Sequence, residues 1–258
     1  MIVAHGLTDV GCQRESNEDR ILAEPGCSLF VVADGMGGQR SGERAAEIAV
    51  QTVKNYFQTT AGRKEITWPF GYDATIPFSQ NLMATAIKLA NRRVWRESES
   101  TAEYTGMGST IVAVYVNEDK ATLGSVGDSR LYHYRSKTLT LLTKDDSLIA
   151  RLVESGAITL TEAASHPMRS VLTEAAGAKE TINAQIHELR LRHGDRLLLT
   201  SDGVHGVIEE ADLRRILDQA ESVQTTVEKI VAEARERGGP DNISCIIVEY
   251  RDDKEHSA

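Results

Sequence analysis

Phe30-Val31-Val32-Ala33-Asp34-Gly35 is an apolar run closed by an aspartate and a glycine. Leu197-Leu198-Leu199-Thr200-Ser201-Asp202-Gly203 repeats the pattern far along the chain. Continuous apolar runs of this length suit strands buried on both faces. An Asp-Gly pair after a strand is by itself an ordinary turn signal, because aspartate tolerates turns and glycine admits positive φ. Two central strands that both end in a carboxylate are a different matter. Like charges at neighbouring strand ends repel, at a cost on the order of several kcal/mol in a low-dielectric setting. Cations offset that cost. Hard divalent ions such as Mg²⁺ or Mn²⁺ take oxygen ligands, and Mg²⁺ keeps several waters, so a few spaced aspartates and a backbone carbonyl suffice.

Outward from these runs, Ile2–Asp9 and Arg20–Glu24 read as short strands around a polar loop, Gly11–Asp19. Ser28–Ala33 is the strand that ends at Asp34. Ser41–Phe57 reads as a helix with Ala45, Ile48, Ala49, Thr52 and Val53 on one face. Gln58–Phe78, with its Gly and Pro residues and the aromatics Trp68 and Phe70, reads as a loop, and Ser79 as the cap of a second helix. That helix carries Leu82, Met83, Ala86, Ile87, Ala90, Val94 and Trp95 inward, and Arg92, Arg93 and Arg96 on a solvated face. From Gly108 the period changes. Ser109–Val116, Lys120–Val126, Ser129–Tyr134 and Thr138–Leu142 read as an antiparallel meander with tight turns. Asp145–Gly177 reads as small helices and loops over the sheet. Ile182–Leu191 and Asp195–Thr200 are strands, Glu210–Gln219 and Val223–Arg237 helices, and Ile243–Tyr250 a closing strand. This order does not alternate as βαβ units do. It predicts an α+β fold, two antiparallel sheets packed together with helix pairs outside. One domain over 1–250 is expected, with a frayed charged tail over 251–258.

The chain has 258 residues, enough for a sizeable core, and ordinary globular composition. Its formal net charge of -9 argues against a sequence-independent nucleic-acid binder and against docking on anionic lipid. No apolar run approaches the roughly 20 residues that span a bilayer, and the N-terminus lacks the pattern of a signal peptide. Cys12, Cys27 and Cys245 are odd in number and form no C-x-x-C pair, so they read as small buried hydrophobes in a reducing cytoplasm. A soluble cytoplasmic monomer is expected.

The acidic residues cluster at strand ends beside small residues. Asn17-Glu18-Asp19, Asp34-Gly35-Met36-Gly37-Gly38, Gly106-Met107-Gly108-Ser109-Thr110, Gly127-Asp128-Ser129-Arg130, Ser201-Asp202-Gly203 and Gly239-Pro240-Asp241-Asn242 occur in this order. The series resembles the motifs of the PPM, or type 2C, metal-dependent serine/threonine protein phosphatases in their compact bacterial form, from about Gly6 to Tyr250. The resemblance implies a four-layer α-β-β-α sandwich with a metal cleft at one end. It makes Asp34 the bridging ligand of two metal ions, Mg²⁺ or Mn²⁺, with Gly35 giving its carbonyl. Asp202 and Asp241 complete the first ion's protein ligands. Glu18 and Asp19 orient water, Asp128 and Asp202 hold a third, weaker ion, and Arg14 binds the substrate phosphate. A metal-activated water then attacks phosphorus in line, with no phospho-enzyme. The implied partners are phosphorylated proteins and the pathway of a cognate bacterial serine/threonine kinase.

The chain departs from that pattern in places. Met36 and Gln39 stand where some relatives have a histidine, which leaves the general acid to a water held at Asp128. Asp145-Asp146-Ser147 replaces the usual Asp-His-Ser, and Glu174 stands where arginine is usual. Both changes make the flap over 145–177 more acidic and predict a preference for basic phosphoprotein surfaces. His5, His133 and His193 read as structural; so do His166 in the flap and His205 after Asp202, with contact to substrate as the alternative for these two. Two rival readings are a catalytically weak phosphoprotein-binding regulator of the same fold and a small-molecule phosphomonoesterase.

Overall fold

The computed structural model describes residues 1–38, 41–60, 63, 66–164, 166–219 and 222–252. Gln39 and most of the charged tail lie outside the described residues. In chain order the elements are β1 (Ile2–Asp9), β2 (Asp19–Glu24), β3 (Leu29–Met36), α1 (Ser41–Thr60), α2 (Phe78–Ser100), β4 (Gly108–Ser109), β5 (Ile111–Asn117) and β6 (Lys120–Val126). There follow β7 (Arg130–Arg135), β8 (Thr138–Leu141), α3 (Leu148–Glu154), α4 (Leu160–Ala164), β9 (Gln185–Arg190), β10 (Arg196–Thr200), α5 (Asp202–His205), α6 (Glu210–Asp218), α7 (Val223–Glu236) and β11 (Ile243–Tyr250).

Two antiparallel sheets form, in the orders β1-β11-β10-β7-β8 and β2-β3-β5-β6-β9, with β4 paired to β3. Side-chain alternation sorts the strands into layers. Leu29, Val31 and Ala33 pack under α1 and α2. Phe30 and Val32 face the other way, into the space between the sheets, where they meet Leu197, Leu199, Ile246 and Val248. Leu198, Cys245 and Ile247 face α6 and α7. The α-β-β-α order of layers therefore follows from strands that are apolar on both faces.

Four expectations need correction. The two apolar runs are not neighbours: β3 and β10 lie in opposite sheets. The meander is split, because β5 and β6 join one sheet while β7 and β8 join the other, so Gly127-Asp128 is a crossing between sheets rather than a hairpin turn. Alternation of period two states which faces are buried, not which sheet a strand joins. Ser79 does not cap α2, which starts at Phe78 after Pro77. Of the cysteines only Cys245 is buried; Cys12 is exposed and Cys27 partly so. No helix among the described residues is long and apolar enough to cross a membrane.

Candidate metal centre

Antiparallel order brings the predicted residues to one end of the sandwich. In one sheet β2 starts where β3 ends, and Asp19 is the register partner of Asp34. In the other, Thr200 at the end of β10 pairs with Arg130 at the start of β7 and with Cys245 near the start of β11. Asp202, Asp128 and Asp241 hang from those same ends. The end of β1 lies opposite Ile243, so the loop carrying Arg14 and Glu18 joins them.

Backbone contacts too close for a side chain set the spacing. A Cβ on Gly35 would lie 1.9 Å from the Gly42 carbonyl oxygen, so only glycine lets α1 start against the Asp34 turn. Gly11, at φ +80, would place a Cβ 2.1 Å from the Asp241 carbonyl oxygen. The Asp34 peptide is fixed on both sides. Its N–H donates to Thr110 Oγ1 at 2.9 Å, and its carbonyl accepts from Thr110 N at 2.8 Å. Thr110 Oγ1 in turn contacts Ser129 Oγ at 2.7 Å, beside Asp128.

Electrostatically the site is frustrated without cations. Burial, then Asp19, Asp202, Asp128 and Asp241, push the Asp34 carboxyl well above the usual range. Burial first and the neighbouring aspartates after it raise Asp19 to about 7, although Ser244 and Ser201 oppose the shift. Asp128 also rises to about 7, through burial, then Asp202 and Asp145. Burial, then Asp241, raises Asp202, while a hydrogen bond with Asp34 and the nearby Arg14 hold it down. Glu18 is raised chiefly by burial. Asp19 Oδ2 accepts from Ser201 Oγ at 2.8 Å, yet Asp19 Oδ1 and Asp202 Oδ1 are buried without a partner. Such orphaned charged oxygens are costly unless something fills the gap.

The donors are all hard oxygens, as Mg²⁺ and Mn²⁺ require. Among the described residues no group of three or more His, Cys, Asp or Glu side chains is already closed into an ion cage. What exists is a set of facing carboxylates, with much of an ion's shell left to water, and that set fits these ions.

Arg14 reaches the site but is engaged there: its Nη2 donates to Asp241 Oδ2 at 2.7 Å. The pairing raises the Arg14 pKa. Its side chain is 53% exposed and that of Asp241 32%, so the pair is open to exchange. His205 is half-buried, with Nδ1 3.0 Å from Thr200 Oγ1, and desolvation holds its pKa well below the usual imidazole range. His166 Nδ1 accepts from Met168 N within the flap.

The flap acids point inward. Asp145 accepts from Arg130 at 2.8 Å (Oδ2) and 3.0 Å (Oδ1). Asp146 Oδ2 accepts from Gly127 N at 3.1 Å, while Asp146 N donates to Gly127 O at 2.9 Å. Its carbonyl takes Thr173 N at 2.7 Å, so one residue joins the Asp128 turn to the far limb of the flap. Glu174 pairs with Lys179 at 3.1 Å, and its other oxygen is buried. The expected acidic face toward substrate is therefore absent at these two positions.

Sequence reading passed over Asn242. Its Oδ1 accepts from Glu18 N at 2.8 Å, and its Nδ2 donates to the Val10 and Ser16 carbonyls, both at 2.9 Å. One amide thus ties the Arg14–Glu18 loop to the start of β11. The position beside Asp241 was the only signal, and an Asn next to a turn is common.

A sequence profile for protein phosphatase 2C matches residues 13–241. The protein phosphatase PhpP of Streptococcus pneumoniae is 30% identical over 250 residues, covering 96% of this chain and 97% of that protein. The S. agalactiae serine/threonine phosphatase superposes with a TM-score of 0.85 at 31% identity, covering 98% of this chain and all of the other. The catalytic domain of the serine/threonine protein phosphatase PstP, solved with two manganese ions, gives 0.82 at 27% identity, with 97% and 99% covered. The fold and these matches define a class, the metal-dependent serine/threonine protein phosphatases. Within it, this chain belongs to the protein phosphatase 2C family.

Proposed function

We propose that the chain removes phosphate from phosphoserine and phosphothreonine in proteins, with Mg²⁺ or Mn²⁺ bound among Asp34, the Gly35 carbonyl, Asp202 and Asp241. Asp128, with Asp202, would hold a third, weaker ion. The observation that carries this reading is the crowding of buried and half-buried carboxylates at one end of both sheets, two of them with an orphaned oxygen. Bound ions supply positive charge to the phosphate oxygens and make a water acidic enough to ionise near neutral pH.

The chain's own residues do the placing. Glu18 and Asp19 would accept hydrogen bonds from water and fix its direction. Arg14 exchanges Asp241 for a phosphate oxygen and stabilises charge that develops in the transition state. Water held at Asp128 would serve the leaving serine or threonine oxygen, since His205 Nδ1 is already engaged by Thr200 Oγ1. Family membership supports one domain over 1–250 with a flap over 145–177. The same reading makes the protein a cytoplasmic monomer that opposes a bacterial serine/threonine kinase.

The test is release of phosphate from p-nitrophenyl phosphate and from a phosphothreonine peptide, with Mn²⁺, with EDTA, and for Asp202→Ala. Turnover that needs Mn²⁺ and Asp202 supports the reading. Binding of the peptide without metal-dependent turnover would identify a regulator instead. Turnover of small esters alone would identify a metabolite phosphatase.

A further inference from the structure

The antiparallel helices α1 and α2 leave a groove of about 720 Å³ on the outer face of the molecule. Arg44, Ile48 and Thr52 line it from α1, and Arg93, Arg96 and Glu97 from α2. Its charges are unevenly spent. Arg44 pairs with Glu97 at 3.1 Å and with Glu47, also in the groove wall, at 3.2 Å. Each carboxylate is thereby engaged through one oxygen. Arg93 and Arg96, one helical turn apart, make no hydrogen bond or ion pair among the described residues. Their neighbour Arg92 is occupied elsewhere, over the Phe70 ring at 4.5 Å.

A second observation points to a ligand. Thr52 is 3% exposed, and its hydroxyl has no hydrogen-bond partner. A helical threonine ordinarily satisfies itself on a carbonyl one turn back. Here the groove that carries two unpaired guanidinium groups also holds an unused polar group in its wall.

The groove is also near the cleft. α1 begins against the Asp34 turn, where Gly42 touches Gly35. Ser41 Oγ donates to the Glu103 carbonyl at 3.1 Å, so the start of α1 and the segment after α2 meet at this end. Arg44 is one turn farther along α1.

We propose that this groove docks an acidic segment of the phosphoprotein substrate, on one side of the residue whose phosphate enters the cleft. The occupant follows from charge complementarity. In a chain of net charge -9, two free arginines in one groove select carboxylates over basic side chains. This is opposite to the preference expected from the flap sequence, whose acids are turned inward. The assignment of substrate rests on the phosphatase reading, but the groove's affinity for acidic peptide does not.

Two phosphothreonine peptides, alike except for a six-residue glutamate or glutamine extension, test it alongside p-nitrophenyl phosphate. Wild-type protein should turn over the glutamate peptide with kcat/KM roughly 10-fold higher, the difference lying in KM, as two ion pairs allow. Arg93→Glu with Arg96→Glu should abolish that advantage and leave p-nitrophenyl phosphate turnover unchanged. Equal kcat/KM for both peptides in wild type, or an advantage that survives the double reversal, overturns the proposal. Anisotropy of the labelled, unphosphorylated glutamate peptide separates the two readings. If turnover fails, binding that is lost in the double variant still supports the groove. A concentration-dependent dimer that the double reversal breaks would assign the groove to a second copy of the chain, and would overturn the proposal.

Discussion

Asp34 ends a strand buried on both faces and flanked by β2 and β5, whereas Asp146 stands at the root of a flap whose α3 buries only Ile149. The first is held by layers of apolar side chains and a peptide bonded on both sides. The second is held by a few polar links: Asp145 to Arg130, Asp146 to Gly127, and Ser109 to Ala176. Stability that comes from burial is shared with the whole sandwich. Stability that comes from a few hydrogen bonds is local, so the flap should open well before the floor unfolds. On the proposed reading the chemistry rests on the rigid part, and the segment over 145–177 is the part freer to move against it.

The contrast can be broken most severely at the floor. Asp202→Ala should lower Mn²⁺-dependent turnover by roughly 10³-fold, measured on p-nitrophenyl phosphate. The same variant should melt higher than wild type in EDTA, since it relieves repulsion among buried carboxylates. A lower melting temperature in EDTA would count against the frustrated centre.

The pH dependence of the EDTA-treated wild type gives the next effect. Asp19 and Asp128 titrate near 7 when folded and near 3.9 when unfolded. The folded state binds the protons more tightly, so stability is greatest below the unfolded value and is lost as pH rises through about 7. A loss on the order of 2–4 kcal/mol between pH 5 and 8 is expected in denaturant titrations. Saturating Mn²⁺ should remove most of that slope.

Smaller changes belong to the flap. Arg130→Ala leaves Asp145 without its partner in a mostly buried setting and should cost about 2 kcal/mol. Asp146→Ala should cost about 1 kcal/mol globally. It should speed protease nicking within 155–171 more than it changes p-nitrophenyl phosphate turnover, and Asp146→Asn should largely restore resistance. Glu174→Gln should alter discrimination between acidic and basic phosphopeptides least, by under about 2-fold, because its carboxylate faces Lys179 rather than substrate.

Most strands and helices were legible because burial writes a local pattern. The run from Phe30 to Gly35 specified a strand, its two-sided burial and its terminal carboxylate without reference to the rest of the chain. The end of the sandwich at which Arg14, Glu18, Asp19, Asp34, Asp128, Asp202 and Asp241 gather was legible only through the ordered motifs. What stayed hidden depends on partners distant in sequence. Nothing local states that Lys120–Val126 and Arg130–Arg135 join different sheets. Nothing in Asp145-Asp146 states that both carboxylates bond backward to Arg130 and Gly127 instead of facing outward. Asn242 is the clearest case, since its role exists only once Val10, Ser16 and Glu18 lie beside it. Short helix α5 was also missed, because four residues carry no period.

β11 is the last strand in sequence, yet it lies between β1, the first, and β10. A ribosome therefore releases β1 long before the neighbour it needs exists. Until Ile243–Tyr250 emerges, one sheet remains in two pieces and Asp241 has not met the Arg14 loop. Assembly of the centre thus waits for Ile243–Tyr250, and a product truncated before it would have an exposed strand edge and Asp241 out of place.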